Sequence, residues 1–219
     1  MTTLPEILTR VSTLLMDSAH LIWPDATLSE SVRQALEEYN LTAPLIVENS
    51  ILLEDCGPEV SLASLPGLRE ILDLFYPWQP GLATDKQPPN QVKGWHTWFS
   101  SAEPIVTVRS SARLINGQYL RIIYLASHTI EGLDGASATT IPQETIGLLV
   151  RGAAGFAALS RAVDKIEIRS YGSRRTEPDM LARWGSAQAA EFRAGLAALR
   201  NSLPYFPAPR WQMDAWERN

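Results

Sequence analysis

The stretch from Gly132 to Val163, GLDGASATTIPQETIGLLVRGAAGFAALSRAV, constrains the fold more than any other. From Ile146 to Leu159 it reads as a helix that is apolar on every side except at Arg151. A helix with that pattern is buried, so the remaining elements must be arranged around it. It is too short, and too interrupted by Arg151, to span a bilayer. Gly152 and Gly155 each cost about 1 kcal/mol in a helix interior relative to Ala. With Ala153, Ala154, Ala157 and Ala158 they make a slim rod, and Gly152, Ala153 and Gly155 are the positions where another backbone can pack closely. Thr140 can serve as N-cap with Gln143 as its capping-box partner, and Pro142 suits the first turn.

Two helices precede this one. Residues 5–19 carry Ile7, Val11, Leu14 and Leu15 on one face. Trp23-Pro24 interrupts, because a residue before proline avoids the helical region. Asp25 or Thr27 can cap a second helix over 28–40, with Leu28, Val32, Ala35, Leu36 and Tyr39 on one face. Ser31, Arg33, Gln34, Glu37 and Glu38 make the other.

From Leu45 to Tyr124 the periodicity changes to alternation. LIVENSILLED, EVSL, REILDLFYPW, VKGWHTWFS, PIVTVRS and QYLRIIYLA are strand candidates separated by Gly-Pro, Pro-Gly and Pro-rich turns. Asn116-Gly117, between Leu114-Ile115 and Tyr119-Leu120, is the strongest hairpin signal. A last helix from Thr176 to about Asn201 has Leu181, Trp184, Gln188, Phe192 and Leu199 on one face. Residues 165–175 read as a helix end and a solvated turn. The fold class is therefore α+β. A helical trunk of about four helices (1–44 and 128–201) carries an inserted small antiparallel β unit (45–127) and an extended C-terminal arm (202–219).

The 219 residues carry a formal net charge of -5 without long runs of either sign, which argues against a dedicated nucleic-acid binder. The one cysteine, Cys56, excludes an intramolecular disulfide and a cysteine metal cluster. It is expected beside the Gly57-Pro58 turn as a small hydrophobe. The amino terminus is amphipathic with no apolar signal region, and a reduced cytoplasmic setting fits. His20, His96 and His128 share no metal-ligand spacing. Gly132, Gly135 and Ser137 resemble a phosphate loop in composition only, with Asp134 a lone acid among them. Trp95 and Trp98 fall on opposite sides of an extended strand. No catalytic set and no cofactor or metal motif has the required spacing. Two readings other than a structural protein stay open: a small soluble enzyme using the Gly-rich loop 132–140, and a ligand-binding module using that loop or the tryptophans.

The tail 202–219 holds Tyr205, Phe206, Trp211 and Trp216 among Pro204, Pro207 and Pro209, more aromatics than a disordered segment carries. It either folds back on its own trunk or reaches a neighbour, in which case Arg210, Trp211 and Trp216 are apt anchors.

HLIWPDATLSESVRQALEEYNL, SHTIEGLDGASATTIPQETIGLLVRGAAGFAALSRA and DMLARWGSAQAAEFRAGLAALR, taken in that order, resemble segments of the head–tail connector (adaptor) proteins of tailed bacteriophages and prophages. The likeness covers about half of the chain and is weak over the β unit, which is larger than the all-helical adaptors carry. It implies a non-enzymatic virion protein of the phage neck, made in the host cytoplasm, with no cofactor, metal or membrane. It implies a homo-oligomeric ring, usually twelvefold, beneath the portal protein. Such a ring extends the DNA channel, without sequence-specific DNA binding, and offers an attachment site to the next neck or tail protein. By the same resemblance the tail inserts into the portal, with Tyr205, Phe206, Arg210, Trp211 and Trp216 as interface residues.

Overall fold

A computed structural model describes residues 2–54, 56–82, 90–100, 103–108, 114–167 and 176–202. Among them are four α-helices: α1 (Leu4–Leu14), α2 (Asp25–Thr42), α3 (Ile146–Glu167) and α4 (Thr176–Ser202). Six strands lie between α2 and α3: β1 (Leu45–Leu52), β2 (Glu59–Ser61), β3 (Leu68–Trp78), β4 (Trp95–Ser100), β5 (Glu103–Val108) and β6 (Tyr119–Ala126). The chain divides into a unit of Met1–Ala43 with Thr129–Asn219 and a unit of Pro44–His128. The α+β class follows, with the strands inserted into the helical unit.

In the helical unit the apolar stripes converge on α3. Ile7, Val11, Leu28, Val32, Ala35, Leu149, Ala153, Ala154, Ala157 and Phe192 are withdrawn from solvent in one cluster. Burying each large aliphatic side chain among these contributes about 1.5–3 kcal/mol. Tyr39 is buried too, and its hydroxyl lies 3.0 Å from Thr145 Oγ1, tying α2 to the turn that opens α3. Arg193 of α4 grips Glu38 of α2 with two hydrogen bonds of 2.9 and 2.6 Å.

Several boundaries and faces differ from expectation. Ser31 is buried on α2, because its hydroxyl donates to the Thr27 carbonyl at 2.9 Å and so needs no water. Pro24, not Asp25 or Thr27, is the N-cap of α2, and Asp25 falls in the first turn, where its charge suits the helix dipole. Thr140 does not cap α3. Its amide donates to the Thr129 carbonyl and its hydroxyl accepts from the Thr129 amide, so it belongs to the preceding loop. Pro142 instead precedes a single 3₁₀ turn, Gln143–Thr145, that leads into α3. With that turn, residues 143–163 are long and apolar enough to cross a membrane, contrary to the expected shortfall. Burial explains that apolarity here: Leu149, Ala153, Ala157 and Ala158 are fully enclosed by protein.

The expected antiparallel β unit consists of two sheets among the described residues. In the first, β6 is central, with β1 and β3 antiparallel on either side. The second has the order β2-β5-β4, also antiparallel. Leu62, Val106, Leu74, Leu120, Ile122 and Tyr124 share one core drawn from both sheets. Asn116-Gly117 makes a turn, with Gly117 at φ 81°. It does not join paired strands. Leu114 is buried outside any strand, and β6 is already occupied on both edges by β1 and β3.

Candidate functional site

The loop between α1 and α2 is built around one carboxylate. α1 stops at Leu14, five residues short of the expected end, because Met16 enters the left-handed region at φ 57°. The Met16 amide then donates to the Thr13 carbonyl and the Asp17 amide to that of Ser12, a Schellman end with Met in the place that glycine usually takes. Asp17, itself 5% exposed, accepts hydrogen bonds from the amides of Leu21, Ile22 and Trp23 at 3.1, 2.8 and 2.8 Å. Burial pushes its carboxyl up, but the Trp23, Ile22 and Leu21 amides, with help from His20, outweigh that and hold it below the usual carboxylate range. His20, also left-handed at φ 52°, pairs through Nδ1 with Asp25.

This scaffold turns Trp23 inward and three large apolar side chains outward. Met16 is 94% exposed, Leu21 85% and Ile22 47%. Arg161 of α3 stacks over the Trp23 ring at 5.0 Å and donates to the Ile22 carbonyl at 2.7 Å, so the loop is fastened to the C-terminal end of α3. Exposed Val163 lies two residues further on that helix. α4 runs antiparallel to α3, with Gly152 facing Phe192 and Gly155 facing Ala189, which brings exposed Met180 to the same end. Leu14, at the end of α1, is also exposed. One end of the helical unit thus presents an apolar surface on a backbone held by hydrogen bonds. Isolated exposed apolar residues need no explanation, whereas these gather at one end, around a loop with two residues in the left-handed region.

The Gly-rich loop 132–140 is closed on itself. The Gly132 amide donates to the Ala136 carbonyl at 2.9 Å, Leu133 to Ile130 at 3.0 Å and Ala136 to Leu133 at 3.0 Å. The Glu131 amide is taken by Thr139 Oγ1, and the Thr139 hydroxyl donates to the Thr2 carbonyl. Amides used this way are not aimed at an anion. Asp134 binds Arg33 of α2 through two hydrogen bonds of 3.1 and 2.7 Å, which hold its carboxyl below the usual range. The loop therefore acts as a clamp between the amino terminus, α2 and α3.

The close-packing positions meet α4. A Cβ on Gly155 would stand 2.9 Å from the Ala189 amide nitrogen and 3.0 Å from the Gly185 carbonyl oxygen, and a Cβ on Gly185 would stand 2.9 Å from the Gly155 carbonyl oxygen. The two helices touch backbone to backbone through this glycine pair. A Cβ on Gly152 would lie 2.7 Å from the Phe192 ring, and Ala153 is fully buried beside it.

The remaining sequence candidates are scattered. His20 is in the loop after α1, His96 is exposed on β4 and His128 is buried. Among the described residues no three His, Cys, Asp or Glu side chains are placed to hold a metal. Trp95 packs on the β core while Trp98 is 37% exposed, its indole N–H donating to Thr107 Oγ1 at 2.9 Å. Both line a cleft of about 250 Å³ with Arg69, Glu70, Ile71 and Pro104. Cys56 is exposed, not tucked away as a hydrophobe, and its sulfur accepts from the Asn116 amide at 3.4 Å. Tyr205, Phe206, Arg210, Trp211 and Trp216 lie outside the described residues, as does the expected turn at 168–175. The apolar end itself escaped sequence reasoning. Its available signal was LLMDSAHLIW, apolar residues too closely spaced around Asp17 for one helix face. No family model and no curated protein matches the chain.

Proposed function

We propose that the chain is a head–tail connector of a tailed phage or prophage: a non-enzymatic virion protein that forms a ring beneath the portal, extends the DNA channel and receives the tail. The observation that carries this reading is the apolar end of the helical unit, where Met16, Leu21 and Ile22 are held out to solvent by the Asp17 carboxylate. A protein that works by assembly needs such a surface, and a rigid one loses little conformational freedom on docking. In this reading the apolar end of one copy meets a different face of the next, a heterologous contact of the kind that closes rings. The chain order that resembles the connectors supplies the identity of the assembly. The net charge of -5 suits a channel wall that lets DNA pass without gripping it. The tail 202–219 is the arm assigned to the portal, and the next neck or tail protein docks on the ring from the other side.

Mass measurement and negative-stain imaging of the purified chain, alone and mixed with the portal, test the proposal. Rings, alone or capping the portal, are the expected result. A chain that stays monomeric at tens of micromolar and leaves the portal uncapped overturns it.

A further inference from the structure

The first β sheet has one long edge on which no strand pairs among the described residues. β1 pairs with β6 over all eight residues from Leu45 to Leu52 in unbroken register, and no described strand lies on its other side. The opposite edge is treated differently. β3 has three register shifts against β6, and the segment Asn90–Val92 covers part of its outer side through bonds from Tyr76 and Val92. Bulges and covering segments are how proteins blunt sheet edges; β1 has no bulge, proline or lysine, and no segment pairs over it among the described residues. Its one charge, Glu48, is already neutralised by Arg121 at 2.6 Å.

The Leu53 amide donates to the Gln118 carbonyl in the same register, so the odd-numbered residues of β1 bond to β6. Ile46, Glu48, Ser50 and Leu52 therefore turn their amides and carbonyls outward, and the Ser50 amide donates to the Asn49 side-chain oxygen at 2.7 Å, a bond that pairing with another strand would replace. The odd residues Leu45, Val47 and Ile51 pack on the core, and Leu52 on the other face is 47% exposed.

We infer that this edge pairs with β1 of a second copy, antiparallel, about a two-fold axis at Asn49. A two-fold axis perpendicular to a sheet keeps every side chain on its own face. Residues opposite one another must then both be odd or both be even, and the axis must pass through one residue. Centred on Asn49, Val47 meets Ile51 of the second copy on the core face, while Ile46 meets Leu52 and Glu48 meets Ser50 on the other. Every apolar residue has an apolar partner and every polar residue a polar one. Centred on Glu48, two carboxylates would face each other. Centred on Ser50, Glu48 would face Leu52. The result at Asn49 is a continuous sheet of six strands with both cores on the same face. An isologous contact closes on itself, so it makes a dimer, and any ring is built by other surfaces. The inference does not rest on the connector reading.

The register makes a sharp test. The two Asn49 residues would form a non-hydrogen-bonded pair with Cα atoms ~4.5 Å apart, within reach of a disulfide. In a Cys56→Ser background, Asn49→Cys is expected to form covalent dimers under mild oxidation, visible on a non-reducing gel, while Val47→Cys, which faces Ile51, forms at least tenfold less. Ser50→Pro, which removes an outward amide and leaves the ladder to β6 intact, is expected to abolish cross-linking by Asn49→Cys with an unchanged circular dichroism spectrum. Absence of Asn49→Cys dimers in a folded protein overturns the inference, as does equal cross-linking at positions 47 and 49. Rings without this cross-link would leave the connector reading standing and this one not; the cross-link without rings would do the reverse.

Discussion

Asp17 shows how one side chain decides a local structure. Three consecutive amides converge on it, and without a negative charge there they would be left pointing at a neutral group. Its pKa is lowered in the folded chain, so the stability it contributes is fully present above its unfolded value of 3.8. It is lost as the pH falls through the lower folded value. Asp17→Asn is expected to flatten the acid limb of a stability–pH curve below pH 4 and to speed hydrogen exchange at Leu21–Trp23 at neutral pH. An unchanged acid limb would show that the three bonds contribute nothing to folding. Met16 has the opposite character. A long apolar side chain in the left-handed region is strained by about 1 kcal/mol, and at 94% exposure it gains nothing from its own core. Met16→Gly should therefore raise stability by roughly that amount while weakening self-association. A variant both more stable and fully assembling would remove Met16 from the contact surface.

At the scale of elements, the helical unit turns on the α3–α4 pair. Gly155 and Gly185 let the backbones touch, and the atoms a side chain would strike are main-chain atoms that cannot rotate away. Gly155→Ala is expected to destabilise by about 1–3 kcal/mol through overpacking. For a chain of this size that lowers Tm by several degrees, at about 2–4 °C per kcal/mol. Gly147→Ala on the same helix meets nothing within 4 Å and should be neutral or stabilising, by up to ~1 kcal/mol. Equal melting temperatures for the two variants would mean that α3 and α4 separate easily. Arg151, the one charge in the apolar run, is exposed and pairs with Glu191 of α4 at 2.5 Å. An exposed pair of this kind contributes at most about 1 kcal/mol, so packing and not charge holds the two helices.

For the molecule as a whole, the proposed assembly divides its surfaces by task. In the connector reading the apolar end of the helical unit would contact a neighbouring copy and the tail would reach the portal, while the β1 pairing is a separate proposal that does not depend on that ring. Deleting residues 204–219 should leave circular dichroism and melting near native, yet abolish binding to the portal. An unfolded truncation would mean that the tail caps its own trunk. A folded truncation with full affinity would place the portal contact on the trunk.

What the sequence determined by itself is what repeats locally. The stripe of Leu28, Val32, Ala35, Leu36 and Tyr39 recurs at the helical period, and all five are buried. The uniform apolarity of 146–159 made α3 the core helix, and the change to alternation after Leu45 marked the inserted strands, because period and burial are read from neighbours in the chain. What only the tertiary structure decided rests on partners far apart in sequence. That six strands form two sheets, that Gly155 finds Gly185, that Asp134 is consumed by Arg33 and that β1 ends as an edge strand all depend on which segments meet in space. Asp17 lies between these cases. Its partners are only four to six residues away, but the bond depends on a left-handed turn at Met16, a conformation that Met side chains disfavour and sequence pattern therefore does not announce.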